Sequence, residues 1–175
     1  PPLYGGVRSV RPDFNGVGSV ALPVSLHKLS ERMVLCYTGN PRQSGINNWE
    51  VMKKTLDGNH AVARKLQKIG QIAREMDKAL TLGQMKKVAA LFDQEWKARK
   101  ALAPTISTPH MNKLITGAKN KGAQAAKVCG AGGGGCIAFM VPSTKRESVV
   151  SELVRLNGQV IPFRFVQRGL RVQTI

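Results

Sequence analysis

From Lys127 the chain reads Lys-Val-Cys-Gly-Ala-Gly-Gly-Gly-Gly-Cys, so that glycine fills five of the six positions from 130 to 135. Apolar runs flank it, Ala125 to Cys129 before and Cys136 to Val141 after. That is a strand, a glycine loop and a second strand. A simple turn needs one or two glycines, and flexible linkers are seldom gripped between two apolar strands. Glycine backbone can adopt positive φ and approach a ligand closely, and successive N–H groups can then converge on an anion. Gly130, Gly132 and Gly135 also satisfy G-x-G-x-x-G, but a dinucleotide fingerprint needs a helix directly after the loop. Here a β run ending in Pro142 follows. No Gly-Lys-Ser/Thr follows either, which excludes a Walker loop.

The rest of the chain arranges itself around that hairpin. Val7 to Val10 and Val17 to Val24 read as short β stretches separated by the turn-forming run Pro12 to Gly16. Met33 to Tyr37 is a continuous apolar run, as expected of a strand buried on both faces. Glu50 to Leu56 suits a short helix. Val62, Leu66, Ile69, Ala73, Met76 and Leu80 then repeat at steps of four and three, one apolar stripe on a long helix that Gly83 stops. Met85, Val88, Phe92 and Trp96 mark a second helix, and the short connection predicts an antiparallel hairpin, with a coiled-coil dimer as the alternative.

Thr108-Pro109 has the chemistry of a helix start, with Met111, Leu114, Ile115 and Ala118 supplying its apolar face. Thr144 and Glu147 resemble a capping box opening a further helix that Asn157-Gly158 closes. Val160 to Phe165 and Leu170 to Val172 read as a last pair of strands turning at Arg168-Gly169. The order predicts an α+β fold, a ferredoxin-like βαββαβ sheet with a helical-hairpin insertion. Residues 1–30 form a separate β segment ahead of the main domain at residues 31–175.

Hydrophobic residues make up 42% of the chain, enough for a core. No apolar run approaches the ~20 residues of a membrane span, and no charged-then-apolar leader opens the chain, so the expected compartment is the cytoplasm. The chain begins Pro1-Pro2 without an initiator methionine, and the expectation is that polypeptide preceding Pro1 has been removed or is missing. A formal charge of +17 favours phosphate-bearing partners, although the basic residues are spread over helix faces without a dense block. Cys36, Cys129 and Cys136 form no CxxC pair, and His27, His60 and His110 match no metal spacing, so neither a disulfide nor a structural zinc is expected.

One further loop draws notice. The strand at Met33 ends in Thr38-Gly39-Asn40-Pro41 and then offers Arg42, Gln43 and Ser44 before a helix. Arg42 has the chemistry to grip a phosphate or carboxylate in a bidentate way, and Ser44 to donate to a sugar hydroxyl. Equally, Ser44 could simply cap the helix with Arg42 in solvent.

At these residues the sequence resembles the GHMP kinases, a family that includes galactokinase, homoserine kinase, mevalonate kinase and phosphomevalonate kinase. Lys127 to Cys136 is similar to that family's glycine-rich third motif. The segment Tyr37-Thr38-Gly39-x-x-Arg42-x-Ser44 resembles the substrate-facing loop of its sugar-kinase branch, that of the heptose 7-phosphate kinases. Asn47-Asn48-Trp49-Glu50, Glu95-Trp96-x-x-Arg99 and the opening Tyr4-Gly5-Gly6-Val7 are also similar to members of that branch.

The resemblance implies that Gly130, Ala131, Gly132, Gly133, Gly134 and Gly135 contact the phosphates of ATP, and that Thr38, Gly39, Arg42 and Ser44 bind a sugar or sugar-phosphate acceptor. It also implies that the catalytic base and the Mg²⁺ ligand belong to an N-terminal half not present in this sequence, in the same gene or on a second chain. On that reading the 175 residues alone transfer no phosphate. A homodimer is compatible with it. A catalytically dead scaffold derived from a kinase and a basic nucleic-acid-binding module are the alternatives. The last is weakened by the few aromatics, most at core-like positions.

Overall fold

The computed structural model describes residues 4–42 and 44–171, apart from the side chains of Ser44, Ile46 and Asn47. Val172, the end of the last expected strand, lies outside the described residues. The chain opens with a hairpin of β1 (Arg8–Asp13) and β2 (Gly16–Ala21). The Asp13 carboxylate accepts the Asn15 N–H at 2.7 Å and closes the turn. A short helix absent from the sequence reading, α1 (Leu26–Ser30), follows, capped by the Ser25 hydroxyl. Then come β3 (Met33–Tyr37), α2 (Ser44–Leu56), α3 (His60–Thr81) and α4 (Met85–Lys100). After a 3₁₀ turn at Pro104–Ile106 the order is α5 (Pro109–Asn120), β4 (Ala125–Val128), β5 (Cys136–Met140), a 3₁₀ turn at Ser143–Lys145, α6 (Arg146–Arg155) and β6 (Gln159–Ile161).

The last four strands form one antiparallel sheet in the order β4-β5-β3-β6. Strands first and third in sequence thus sit at its centre, and each crossover helix carries the chain past a strand that pairs between. Alternation sends Val34, Cys36, Ile137, Phe139, Ala126 and Val128 to one face, where Met111 and Leu114 of α5 and Val149 and Leu153 of α6 meet them in one buried apolar core. The other face is only partly covered. Ala125 and Met140 pack under Ile72, Ala79, Val88 and Leu91 of the α3–α4 hairpin. Leu35, Tyr37, Lys127 and Cys136 of that face remain half-buried.

Several boundaries differ from expectation. The α3 stripe is as expected at Val62, Leu66, Ile69, Met76 and Leu80 but wider: Ile72 and Ala79 are buried as well, and Ala73 is exposed. Helix α2 starts at Ser44, six residues before Glu50, although Gly45, Asn47 and Asn48 are weak helix formers. The expected capping box at Thr144 does not form. Thr144 lies in the 3₁₀ turn, and α6 begins after Lys145 without a side-chain cap. Instead Arg146 donates to the Met33 carbonyl at 2.7 Å, tying the helix start to β3. The β run expected to Phe165 ends at Ile161, since Pro162 has no N–H for the ladder. Beyond it the backbone is irregular, and no strand forms at Leu170–Arg171. The Thr108 cap on α5 is as expected, its hydroxyl accepting from the Met111 N–H at 3.2 Å.

Among the described residues, no helix is long and apolar enough to cross a membrane.

Candidate functional site

The two loops singled out in the sequence meet at one end of the sheet. Pairing of β3 with β5 brings Tyr37 opposite Cys136 and so delivers residues 38–42 beside the glycine loop. Thr38 N–H donates to the Gly135 carbonyl at 2.9 Å, and Gly135 N–H donates to the Asn40 carbonyl at 2.8 Å. The Thr38 hydroxyl donates to the same Asn40 carbonyl at 3.4 Å, and the residue is buried. A third strand of backbone completes the cradle, for Gly133 N–H donates to the Ile106 carbonyl at 3.0 Å.

This crowding explains the glycines. All five adopt positive φ, from 73° to 148°. A Cβ on Gly132 would fall 2.3 Å from the Ile106 carbonyl oxygen, and one on Gly134 would fall 2.2 Å from that of Pro41. Real Cβ atoms do not approach so closely, so both positions require glycine on two counts. The remaining wall is a side chain. Arg42 runs along the loop, with its Cγ 2.4 Å from where a Cβ on Gly135 would stand and its Nη1 2.8 Å from one on Gly130. Arg42 is itself exposed. Of the predicted residues, the fold therefore gathers Thr38, Gly39 and Arg42 against Gly130–Gly135; the Ser44 side chain lies outside the described residues.

The loop's own amides are not all available. Gly133 and Gly135 already donate to carbonyls. A cradle of positive-φ backbone beside an arginine fits an anionic group such as the phosphates of ATP. The donor set for Mg²⁺ is different. Among the described residues, no group of three His, Cys, Asp or Glu side chains could hold a metal ion.

A charge cluster around one buried carboxylate stands nearby, its members from Glu95-Trp96-x-x-Arg99 and from Lys127. Glu95 is buried on α4, and its Oε1 accepts from Arg99 Nε at 2.6 Å while its Oε2 pairs with Lys127 Nζ. Burial pulls the Lys127 ammonium below its ordinary range, with Glu95 opposing the fall. These three charges are part of the lining of an otherwise apolar cavity of about 480 Å³ between the open sheet face and the α3–α4 hairpin. Arg99 also reaches a crevice on the other side of α4, lined by Val51, Leu66 and Ile106 and edged by Ala131 of the loop. The i, i+4 spacing of Glu95 and Arg99 was visible in the sequence. The third partner on β4 was not, because nothing local links Lys127 to a helix more than two dozen residues upstream.

Comparison with known proteins identifies the fold. Residues 66–158, just over half of the chain, match the family described as GHMP kinases C terminal. The D-glycero-alpha-D-manno-heptose 7-phosphate kinase of Campylobacter jejuni is 27% identical over 144 residues, covering 82% of this chain and 42% of that protein. A D-glycero-D-manno-heptose 1-phosphate kinase from Bacteriodes thetaiotaomicron superposes with a TM-score of 0.65 at 25% identity, covering 98% of this chain and 47% of the other. The L. major mevalonate kinase, solved with R-mevalonate, superposes with a TM-score of 0.79 at 19% identity over 94% of this chain and 50% of its own. The chain thus spans half or less of the length of each of these relatives. It belongs to the GHMP kinase family and carries that family's C-terminal fold.

Proposed function

We propose that this chain is the C-terminal half of an ATP-dependent kinase for a sugar or sugar phosphate, supplying the phosphate loop and part of the acceptor site. The observation that carries the reading is Arg42 lying along Gly130–Gly135, with residues 38–40 sewn to the same loop. Two sources of recognition then converge on one small volume. Gly130 is the exposed glycine of the loop and its amide is the donor a phosphate would meet first, whereas Gly132 and Gly134 are buried. The Arg42 guanidinium supplies a planar, permanently charged fork on the other side. Thr38, Gly39 and Ser44 border the acceptor, and Ala131 forms the loop's outer rim. The +17 charge draws phosphorylated ligands toward this half.

The reaction needs more than this chain holds. Phosphoryl transfer requires a group to orient or deprotonate the acceptor hydroxyl and ligands for Mg²⁺. On our reading both come from an N-terminal half, in the same gene or on a second polypeptide, and residues 1–30 are the β segment joining that half to the domain at 31–175. The share of the relatives' length that the chain leaves uncovered supports this. A cytoplasmic setting, where ATP and sugar phosphates are present, follows from the same reading.

Coupled-enzyme detection of ADP release tests it. The chain with Mg-ATP and a panel of sugars and sugar phosphates should be silent, and addition of the N-terminal half should produce acceptor-dependent turnover. Turnover by the 175 residues alone would overturn the division of labour. Silence in the complete protein across sugars, together with activity on a non-sugar acceptor, would overturn the acceptor class.

A further inference from the structure

Cys129 and Cys136 face each other across the neck of the glycine loop. The Cys129 N–H donates to the Cys136 carbonyl at 2.8 Å, one step beyond the pairing of Val128 with Ile137, so the two are opposite members of an antiparallel pair. Residues paired in this way share a face of the sheet, with Cα atoms about 5.5 Å apart. That separation lies inside the range of roughly 4.4–6.8 Å that a disulfide spans. Both side chains are half-buried, on the sheet face that the helices leave partly open.

The third cysteine makes an internal contrast. Cys36 is paired with Ile137, and so points to the opposite face. It is fully buried, and a Cβ on Gly158 would fall 2.6 Å from its sulfur. That burial shields it from oxidants in solvent.

We propose that Cys129 and Cys136 are a redox-reactive thiol pair, closed to a disulfide by hydroperoxides, that pins the neck of the glycine loop. The Cys136 thiolate attacks a peroxide oxygen and the O–O bond breaks, leaving a sulfenic acid and one water. Cys129 sulfur then displaces the sulfenic oxygen, which leaves as a second water, and the S–S bond forms. Two thiols give up two hydrogens and hydrogen peroxide is reduced to two waters. The order follows from burial, which holds the Cys129 thiol above its ordinary range and pushes Cys36 up to about 11, so neither is suited to attack first. The cross-link would restrain both loops, because Thr38 and Asn40 are bonded to Gly135 immediately beside Cys136. Its effect on phosphoryl transfer rests on the kinase reading; its formation does not.

The test uses mass spectrometry on the intact 175-residue chain. After hydrogen peroxide and a catalase quench, the protein is denatured, alkylated and digested with trypsin. Residues 128–145 contain both cysteines and no internal Lys or Arg, so they leave as one peptide. That peptide should be lighter by two hydrogens and carry no alkyl group, Cys36 should be alkylated, and dithiothreitol should restore alkylation of all three. In Cys129→Ser, dimedone should label Cys136. Alkyl groups on both cysteines of the oxidised wild type would overturn the proposal, as would Cys136 over-oxidised with Cys129 free, or a link between two chains. A closed peptide in the complete kinase with unchanged turnover would leave the thiol pair standing and would count against the loop's part in the reaction.

Discussion

The Cγ of Arg42 lies 2.4 Å from the place where a Cβ on Gly135 would stand, so the arginine arm and the glycine backbone occupy one continuous surface. The contact also sets what each substitution should do.

Arg42→Ala should leave the fold intact, because the side chain is exposed, while weakening binding of ADP or pyrophosphate about tenfold or more. A hydrogen bond to a charged partner is worth roughly 1.5–3 kcal/mol. Arg42→Lys should recover only part of the loss, since an ammonium cannot reproduce the bidentate fork. Calorimetric titration of the two variants beside wild type checks both statements.

Gly134→Ala should destabilise the protein by about 1–3 kcal/mol, combining a left-handed backbone with a clash against the Pro41 carbonyl. Gly45→Ala, on α2 with open space at its Cβ, should be neutral or stabilising. Urea denaturation of the pair separates the strain of the loop from the general cost of losing a glycine.

The charges at Glu95 should be costly to break. Glu95→Ala leaves Lys127 and Arg99 facing each other without an anion, and the cost should be below the ~3–5 kcal/mol of a fully buried pair, because both cations are only half-buried. Glu95→Gln should cost less, because the amide oxygen can still accept from one of them. Thermal unfolding of both variants decides the order.

The amino-terminal hairpin should loosen in acid before the rest. Asp77 of α3 accepts from Arg11 at 2.6 Å and from Ser9 at 3.0 Å, and these bonds hold its carboxyl below the usual range. A depressed folded pKa contributes stability that is present above the unfolded value, about 3.9, and is lost as pH falls through the folded one. Asp93 acts in the same sense between α4 and α5: burial opposes its ionisation, but hydrogen bonds from Lys119 and Lys97 outweigh it. Amide exchange on β1 should rise below about pH 4, and Asp77→Asn should bring the same loosening at neutral pH.

Much of this was legible in the sequence, for identifiable reasons. Glycine density between two apolar runs marked the loop, and the periodicity from Val62 to Trp96 marked the helical hairpin, because both signals are local. The meeting of Arg42 with Gly135 depends on β3 pairing with β5, a long-range contact that no spacing records. Lys127 joined Glu95 for the same reason. Local chemistry also misled where tertiary contacts outweighed it. Thr144 has a capping residue's chemistry, yet the start of α6 is fixed by Arg146 reaching β3. Val160 to Phe165 has β composition, yet Pro162 interrupts the ladder.

If the glycine loop and Arg42 form one phosphate site, titration of ADP into the wild-type chain and into Arg42→Ala should separate the two proteins. Wild type should bind saturably with a rise in Tm, and the variant, at unchanged fold, should bind about tenfold or more weakly with a smaller rise. Equal binding by the two proteins, or none by either the isolated chain or the complete kinase, would contradict that single site.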